Sequence, residues 1–485
     1  MPVRTGEQYL AGLRDRPREV HHRGQKVDDV TTFPGLANGA RSIASLYDMQ
    51  HDPKLRGDMT YTSPTTGDPV GLSFIAPRNL EDLQRRRIMM SHWAHTSYGM
   101  MGRTPDFLNV SIMAMAEAGD YFARSRPEFK QNIINYYEYI RENDLTLTHT
   151  LVNLQRNRRQ AASTKNYDTD VALAVVKETD SGIVVRGPRV LATLGPLSDE
   201  IAVYPVRNAQ LEGTEDAWRY AFAFSIPCDT PRLKFLCRES FDLDRSSFDH
   251  PLGSRFEEMD AIIFMDDVLV PWEKVFLFRD VDLANSLSAS THQYNHSGHQ
   301  VVTKNVAKCE FVLGIASMMV EILGSESIGQ VHGLLAEVIE NLEVMKALLC
   351  TAEVNATLDE WGVMCPATIP ITVARNMFIR MYPRMIEIIQ LLGSSSLMAL
   401  PSEVDFDGPL GGDIRQYMDT DTATAWERVQ LFRLAWDLSG SSFGSRQVLY
   451  ERYFQGDWMR NASILWGRFD PEPLKEQVRD FLRST

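Results

Sequence analysis

One arginine, Arg103, stands where a break in a helical pattern would place a binding group. The stretch Tyr98–Asn109 carries two glycines and a proline, and it sets Arg103 among apolar residues expected in the core. Burying a guanidinium costs several kcal/mol unless an anion meets it. The pattern therefore indicates either a binding site on a rigidly held loop or a helix-to-helix turn in which Arg103 pairs with a carboxylate such as Asp106.

A second polar group lies in Leu147–Arg158, directly after a strand-like alternation. His149 has the side chain best suited to moving a proton near neutral pH. Gln155 and Arg158 carry groups that bind a heterocycle edge or a phosphate. The alternative is a hydrogen-bonded histidine at a strand end followed by solvated arginines.

Three histidines, His292, His296 and His299, follow at spacings that put them on one helix face. Such a face can bind a metal, but the carboxylate or thiolate that usually completes the ligand set is not adjacent. We therefore expect no metal and favour one of these histidines as an acid or base that lines a pocket.

The periodicity of apolar residues divides the chain into three parts. Residues 1–143 show the helical period, with Asn79 placed to cap a helix over Leu80–Tyr98. Residues 144–274 alternate as strands, which predicts a β domain in the form of a small barrel or sandwich. Residues 275–485 return to long helical segments, typical of a helix bundle that continues into an oligomer interface.

Composition narrows the classes of partner. The chain has 485 residues with a formal net charge of −14 and no dominant basic run, which argues against nucleic acid and anionic membranes as partners. No signal peptide and no apolar run of ~18 residues is evident, so we expect a soluble cytoplasmic protein. The five cysteines are widely spaced, which suggests neither a disulfide framework nor a thiolate metal cluster. No dinucleotide fingerprint or P-loop occurs.

Six segments, taken in order, resemble the 4-hydroxyphenylacetate 3-hydroxylase large-component family. They are Gly102–Phe107, Thr148–Arg158, Leu191–Glu200, His250–Leu252, Asp267–Glu273 and Arg446–Glu451. The similarity covers nearly the whole chain, and the ordered set is more specific than any one segment. It implies an acyl-CoA-dehydrogenase-like fold, mainly α with a central β-barrel domain between two helical domains.

The resemblance also implies an activity. Members of this family are the oxygenase components of two-component monooxygenases, in which a separate flavin reductase supplies FADH2. The oxygenase reacts FADH2 with O2 to form a C4a-hydroperoxide, which hydroxylates a phenol ortho to its hydroxyl. FAD as the cofactor and a homotetramer are expected on the same basis.

The family pattern assigns roles residue by residue. Arg103 matches the arginine that offsets negative charge on the substrate, and His149 matches the histidine that hydrogen-bonds or deprotonates the phenol. Flavin contacts fall on Gln155, Arg158, Thr193, Ser445 and Arg446. His292 or His296 lies where halophenol-oxidising relatives carry a base.

One position departs from the pattern. Phe107 replaces a tyrosine that 4-hydroxyphenylacetate hydroxylases carry, and phenylalanine cannot donate a hydrogen bond. This favours a different phenol, either a tyrosine-derived group tethered to a carrier protein or a halophenol or nitrophenol that loses its substituent. An acyl-CoA dehydrogenase is a less favoured alternative. A 4-hydroxybutyryl-CoA dehydratase is rejected, because its iron–sulfur cluster needs cysteines that positions 99–103 lack.

Overall fold

The computed structural model describes residues 3–154, 171–205, 211, 216–242, 244–456 and 458–484. Its first part is mainly helical, and the local signals in the sequence set where several helices begin. Thr5 and Gln8 form a capping box, the Asn79 side chain accepts from the backbone N–H of Asp82, and Pro127 starts a helix. The helices are α1 Gly6–Asp15, α2 Ala37–Met49, α3 Arg56–Met59, α4 Leu80–Thr96, α5 Asp106–Glu117, α6 Gly119–Ala123 and α7 Pro127–Glu142.

Twelve strands of the described chain form a six-stranded sheet, a four-stranded sheet and a separate hairpin. Their bounds are β1 Glu19–His22, β2 Gln25–Val27, β3 Thr60–Thr62, β4 Pro69–Gly71, β5 Leu147–Thr150, β6 Ala174–Thr179, β7 Gly182–Thr193, β8 Glu200–Val203, β9 Phe222–Pro227, β10 Leu233–Cys237, β11 Asp260–Pro271 and β12 Val275–Phe278. The larger sheet has the order β2-β1-β10-β11-β7-β6, the smaller has the order β12-β9-β8-β5, and β3 pairs with β4. Strands β1 and β2, from the N-terminal part, thus join strands of the middle part.

Of the barrel and the sandwich that the sequence allows for the middle part, the barrel is not confirmed, because the described strands form two separate sheets. Strand β5 pairs with β8 in parallel, and it meets β7 of the other sheet mainly through side chains. The hydroxyls of Thr148 and Thr150 donate to backbone carbonyls of Thr193 and Val190, where a closed barrel would have a continuous backbone ladder. The sheets therefore stay separate, and their contact brings β5 beside the end of β7.

Long helices make up the last part, as the sequence predicts. They are α8 Val281–Ser290, α9 Gln293–Ile322, α10 Gly329–Val354, α11 Thr368–Gly393, α12 Gly411–Met418, α13 Ala425–Ser439, α14 Ser442–Tyr453, α15 Trp458–Arg468 and α16 Glu472–Arg483, with a hairpin of β13 Thr357–Leu358 and β14 Met364–Cys365. Helix α9 is central: it spans 30 residues and packs against α4, α5, α10 and α11. One buried apolar cluster runs through all three parts of the chain.

Helices α14 and α15 are separate, because α14 ends at Tyr453 and Gly456 adopts a φ of +91°, which an α-helix cannot contain. This turn directs Phe454 back toward the loop before α5. None of the helices in the described part of the chain is long and apolar enough to span a bilayer.

Candidate active site

Arg103 lies in the loop between α4 and α5, where residues from distant segments fix it. Its backbone N–H donates to Glu258 Oε1 at 2.6 Å, and its Nη1 donates to the hydroxyl of Tyr450 at 3.0 Å. Gln447 on α14 donates to the carbonyl of Met100 in the same loop at 2.8 Å. The side chain is therefore held by α14 and by the segment before β11.

Three aromatic rings surround the Arg103 guanidinium. Its central carbon lies 4.0 Å from the ring centroid of Phe107, 4.8 Å from that of Phe454 and 5.6 Å from that of Tyr450. Arg103 is only 9% exposed, and its Nε has no hydrogen-bond acceptor among the described residues. Rings offset part of the desolvation of a cation, so this arginine retains the capacity to bind an anionic oxygen.

His149 reaches the same place from the middle part of the chain. It lies on β5, is 9% exposed, and stacks on Phe107 with ring centroids 5.6 Å apart and an angle of 30° between planes. The ring centroid of Tyr204, just after β8, lies 6.2 Å from that of His149. Arg103 and His149 thus contact the same phenylalanine, which places a cation and a proton-transfer group around one hydrophobic position.

The carboxylate of Asp106 is not the partner of Arg103. It accepts from the hydroxyl of Thr104 at 2.6 Å and from the amide of Gln300 at 3.3 Å. Burial raises the pKa of Asp106 to about 6, and these hydrogen bonds oppose the rise. The interpretation of Tyr98–Asn109 as a turn closed by an Arg103–Asp106 pair is therefore wrong, and the Arg103 side chain makes no ion pair with a carboxylate of the described residues.

Two residues expected to contact a flavin, Thr193 and Arg446, meet at Asp260. The Thr193 hydroxyl donates to Asp260 Oδ1 at 2.8 Å, and Arg446 makes two bonds to the same carboxylate, at 3.0 and 2.9 Å. Arg446 Nη1 also donates to Glu258 Oε2 at 3.0 Å. Although burial alone would raise it, the pKa of Asp260 is held well below its usual range by Arg446. The chain of bonds continues through Glu258 to the backbone of Arg103.

A second buried charge cluster supports the loop from beneath. Lys304 and Lys308 on α9 donate to Glu451 Oε1 on α14 at 2.5 and 2.6 Å, and Lys308 also donates to Gln447 at 2.9 Å. All three charged groups are at most 1% exposed. Burial lowers the pKa of Lys304 to about 8, with Glu451 opposing the fall. This cluster fixes α14, and with it Tyr450, against α9.

The other predicted site residues lie elsewhere. His292 caps α9 and bonds Glu360 at 2.8 Å, whereas His296 is fully buried and accepts from Arg86 at 3.0 Å. Burial, reinforced by Arg86, lowers the pKa of His296 well below its usual value. Neither partner belongs to the group around Arg103, so their catalytic role stays a prediction. Ser445 is exposed on α14.

Gln155 and Arg158 lie outside the described residues. Their predicted contacts with a flavin therefore stay predictions.

Potential metal ligands meet at one place in the described chain. Ligand atoms of His292, Asp359 and Cys365 lie within 4.8 Å of one another. Asp359 Oδ1 already accepts the backbone N–H groups of Trp361 and Val363, and His292 is bonded to Glu360. These contacts account for the arrangement as a turn between β13 and β14.

Three residues of the site were not singled out from the sequence: Glu258, Asp260 and Tyr450. The run Glu257-Glu258-Met259-Asp260, directly before a buried strand, was the available signal, since acidic residues there need cationic partners. Tyr450 stands four residues after Arg446, which places both on one face of a helix.

Family models match nearly the whole chain. Residues 5–277 match the model for the 4-hydroxyphenylacetate 3-hydroxylase N terminal, and residues 284–483 match the model for the C terminal. The 4-hydroxyphenylacetate 3-monooxygenase oxygenase component of Geobacillus sp. is 47% identical over 485 residues, covering 100% of this chain and 97% of the relative. The protein of the same description from Thermus thermophilus is 45% identical over 483 residues, covering 100% and 98%.

Solved structures agree with these matches. The oxygenase component of 4-hydroxyphenylacetate 3-monooxygenase, complexed with FAD and 4-hydroxyphenylacetate, superposes with a TM-score of 0.93 at 44% identity, over 99% of this chain and 98% of that one. Butyryl-CoA dehydrogenase from Megasphaera elsdenii has a TM-score of 0.51 at 11% identity, over 95% and 97% of the two chains, which concerns the fold alone. The predicted acyl-CoA-dehydrogenase-like fold class is confirmed.

Proposed function

The chain belongs to the 4-hydroxyphenylacetate 3-hydroxylase family, and from this premise we propose that it hydroxylates 4-hydroxyphenylacetate ortho to the phenol hydroxyl. It is the oxygenase component of a two-component monooxygenase that takes FADH2 from a separate reductase. The observation that carries the substrate proposal is the unpaired Arg103 beside His149, enclosed by aromatic rings.

Arg103 supplies a buried positive charge that would stabilise a phenolate. Hydroxylation by an electrophilic oxygen is faster on a phenolate than on a phenol, because the ortho carbon is richer in electrons. The Nε of Arg103 is buried and has no acceptor among the residues described here, and a phenolate oxygen would provide one. In so enclosed a place the guanidinium stabilises the anion more than it would in water.

His149 would hold or accept the phenol proton. Its stacking on Phe107 keeps the imidazole in a fixed plane, and its low exposure keeps bulk water away from the transfer. Phe107 carries no hydroxyl, but Tyr450 places one at Arg103 Nη1 from the opposite end of the chain. The Tyr450 hydroxyl at Arg103 supports 4-hydroxyphenylacetate as the proposed substrate, although Phe107 by itself favours a different phenol.

The donor set around the site fits a reduced flavin. The Thr148 hydroxyl on β5 donates to the carbonyl of Thr193, and Glu258 accepts from both Arg446 and the backbone N–H of Arg103. The aromatic rings offer flat apolar surface. Thr193 and Arg446, with Gln155, Arg158 and Ser445, would hold FAD. Bound FADH2 supplies, with O2, the oxygen atom that is transferred. Residues of the chain bind the phenol, orient it and control its proton.

The assembly and the alternative substrates are also proposals. We propose a homotetramer, which the exposed apolar side chains of α15 and α16 support, Trp466 and Phe481 among them. A carrier-tethered aryl group or a halophenol or nitrophenol remains the alternative substrate. Both curated relatives compared above are named for 4-hydroxyphenylacetate, which favours the free acid.

A reconstituted assay tests this function. The protein, a flavin reductase, FAD and NADH are incubated with 4-hydroxyphenylacetate, and the catechol product is quantified by chromatography. We expect Arg103→Met and His149→Phe each to lose about 10²-fold or more in kcat/KM. Arg56→Met, at an exposed position of α3, is the matched control and should keep wild-type activity. Wild-type turnover by both site variants would refute the proposed roles.

A further inference from the structure

A second arginine near the site, Arg375 on α11, is buried without a counterion. It is 6% exposed, and its Nε and Nη1 have no hydrogen-bond acceptor among the described residues. Arg375 packs against α9 at Gly298, where an added Cβ would clash with Ile371 and lie in ordinary contact with Arg375 Nη1 at 3.6 Å. A buried guanidinium in this state is unfavourable unless an anion completes its contacts.

A second arginine, Arg468, contacts the same aromatic ring as Arg375. Arg468 on α15 stacks on the Tyr294 ring at 4.6 Å, and Arg375 stacks on the same ring at 4.2 Å. Burial lowers the pKa of Arg375, Tyr294 opposes this, and the positive charges of Arg103 and Arg468 lower it further. Two guanidiniums from two helices therefore face one ring, and neither forms an ion pair with a carboxylate of the described chain.

The local contacts do not balance these charges. Tyr294 offers one ring to two cations, and Arg468 Nη1 has a single long contact, 3.5 Å, to the hydroxyl of Thr372. A cation–π contact offsets only a fraction of the free energy that is needed to bury a guanidinium. Arg468 forms the exposed end of this pair and Arg375 the buried end.

We propose that Arg375 and Arg468, on either side of Tyr294, form an anion-binding site that receives a carboxylate or a phosphate. This inference rests on the proposed function for its two sources of such a group: the carboxylate of the phenolic substrate and the diphosphate of FADH2. Guanidinium forks match both groups in geometry and charge. Arg375 is thereby a specificity-determining residue, distinct in its role from Arg103 at the phenol end.

Equilibrium binding to the full-length protein separates the two sources. Dissociation constants are measured by calorimetry for two pairs of ligands. Phenylacetate is compared with 4-methylphenol, which lacks the carboxylate, and FAD is compared with riboflavin, which lacks the phosphates. The variants are Arg375→Met, Arg375→Lys and Arg468→Met. Arg380→Met, on the same helix but at an exposed position, is the matched control.

A substrate site predicts that Arg375→Met weakens phenylacetate by about tenfold or more and leaves 4-methylphenol and FAD unchanged. A cofactor site predicts the same loss for FAD and none for riboflavin. In either case Arg375→Lys should retain part of the affinity, and Arg468→Met, at the exposed end, should show a smaller loss. Arg380→Met should bind as the wild type does.

Three outcomes would overturn the site. The first is that no affinity changes by more than twofold in Arg375→Met and Arg468→Met. The second is that the wild type binds none of the probes. The third is that Arg375→Met dissociates the assembly in light scattering, which would mean that a carboxylate of a second copy is the counterion. None of these readouts needs turnover, so failure of the wild type to hydroxylate phenols would count against the proposed function and not against the site.

Discussion

Gly102, the residue before Arg103, has no room for a side chain. A Cβ built there would lie 2.8 Å from two ring carbons of Tyr450, and closer still to its hydroxyl oxygen. Carbon atoms in contact are about 3.5 to 4.0 Å apart, so Gly102→Ala requires a shift of roughly 1 Å. Tyr450 cannot easily supply it, because its ring is stacked on Phe454 with centroids 4.3 Å apart and is covered by Arg446.

The loop must therefore move, and Arg103 with it. Its backbone bond to Glu258 and its side-chain bond to Tyr450 would both be strained. Overpacking of this kind costs about 1–3 kcal/mol of stability, and a misplacement of about 1 Å in a positioning group can cost about 10²-fold in rate. We expect Gly102→Ala to lower kcat/KM for phenol hydroxylation by about 10- to 100-fold. We also expect it to lower the free energy of unfolding by about 1–3 kcal/mol.

Urea unfolding and the reductase-coupled assay measure the two effects. Gly57→Ala, at a helical glycine with no atom within 4 Å of the new Cβ, is the matched control and should be neutral or slightly stabilising. The double variant Gly102→Ala/Tyr450→Phe removes the nearest clash and should recover part of the stability. If Gly102→Ala is as active and as stable as the wild type, the packing of Tyr450 over this loop does not position Arg103.

Phe107→Tyr adds a hydroxyl beside the Arg103 guanidinium. We expect kcat/KM for 4-hydroxyphenylacetate to rise about fivefold, which corresponds to the free energy of one hydrogen bond. An unchanged profile over a panel of phenols would show that position 107 does not select the substrate. Because the pKa of Lys304 falls from 10.5 to about 8 on folding, its contribution to stability is present above pH 10.5 and is lost as pH falls through 8. Between pH 8 and pH 10.5, the free energy of unfolding of the wild type in urea should rise by about 3 kcal/mol relative to that of Lys304→Met. A difference between the two proteins that does not change with pH would contradict the burial of this charge. His296→Phe should lower the free energy of unfolding by about 1–3 kcal/mol, because it removes the hydrogen-bond acceptor of Arg86. We expect its kcat to stay within about threefold of wild type. A loss of kcat of about a hundredfold at unchanged stability would instead establish His296 as the base.

The parts of the fold that depend on short stretches of chain were accessible from the sequence. Thr5, Asn79 and Pro127 mark helix starts because a cap or a fixed φ acts over one turn. The hairpin between β6 and β7 follows from the turn residues over 179–182 in the same way. The division into helical and strand-rich parts follows from the period of the apolar residues, although the boundaries at 143 and 274 stay predictions.

The sequence was less informative where distant segments compete for the same neighbours. It allowed a barrel or a sandwich, and in the described residues threonine side chains of β5 meet the carbonyls of β7 between two separate sheets. It allowed Asp106 as the partner of Arg103, but Thr104 and Gln300 occupy that carboxylate. Hydrogen-bond satisfaction is a property of the packed interior, so neither outcome could be read locally.

The sequence by itself determined that this chain carries the ordered motifs of its family, and it predicted that Arg103 and His149 belong to one site. Only the tertiary structure decided what surrounds them. Tyr450 reaches Arg103 across 347 positions, and Glu258 across 155, because α9 and α14 are locked together by buried charges. Helix caps and periods are set by neighbours in the chain, whereas an enclosed cation is set by which remote side chains the packing brings to it.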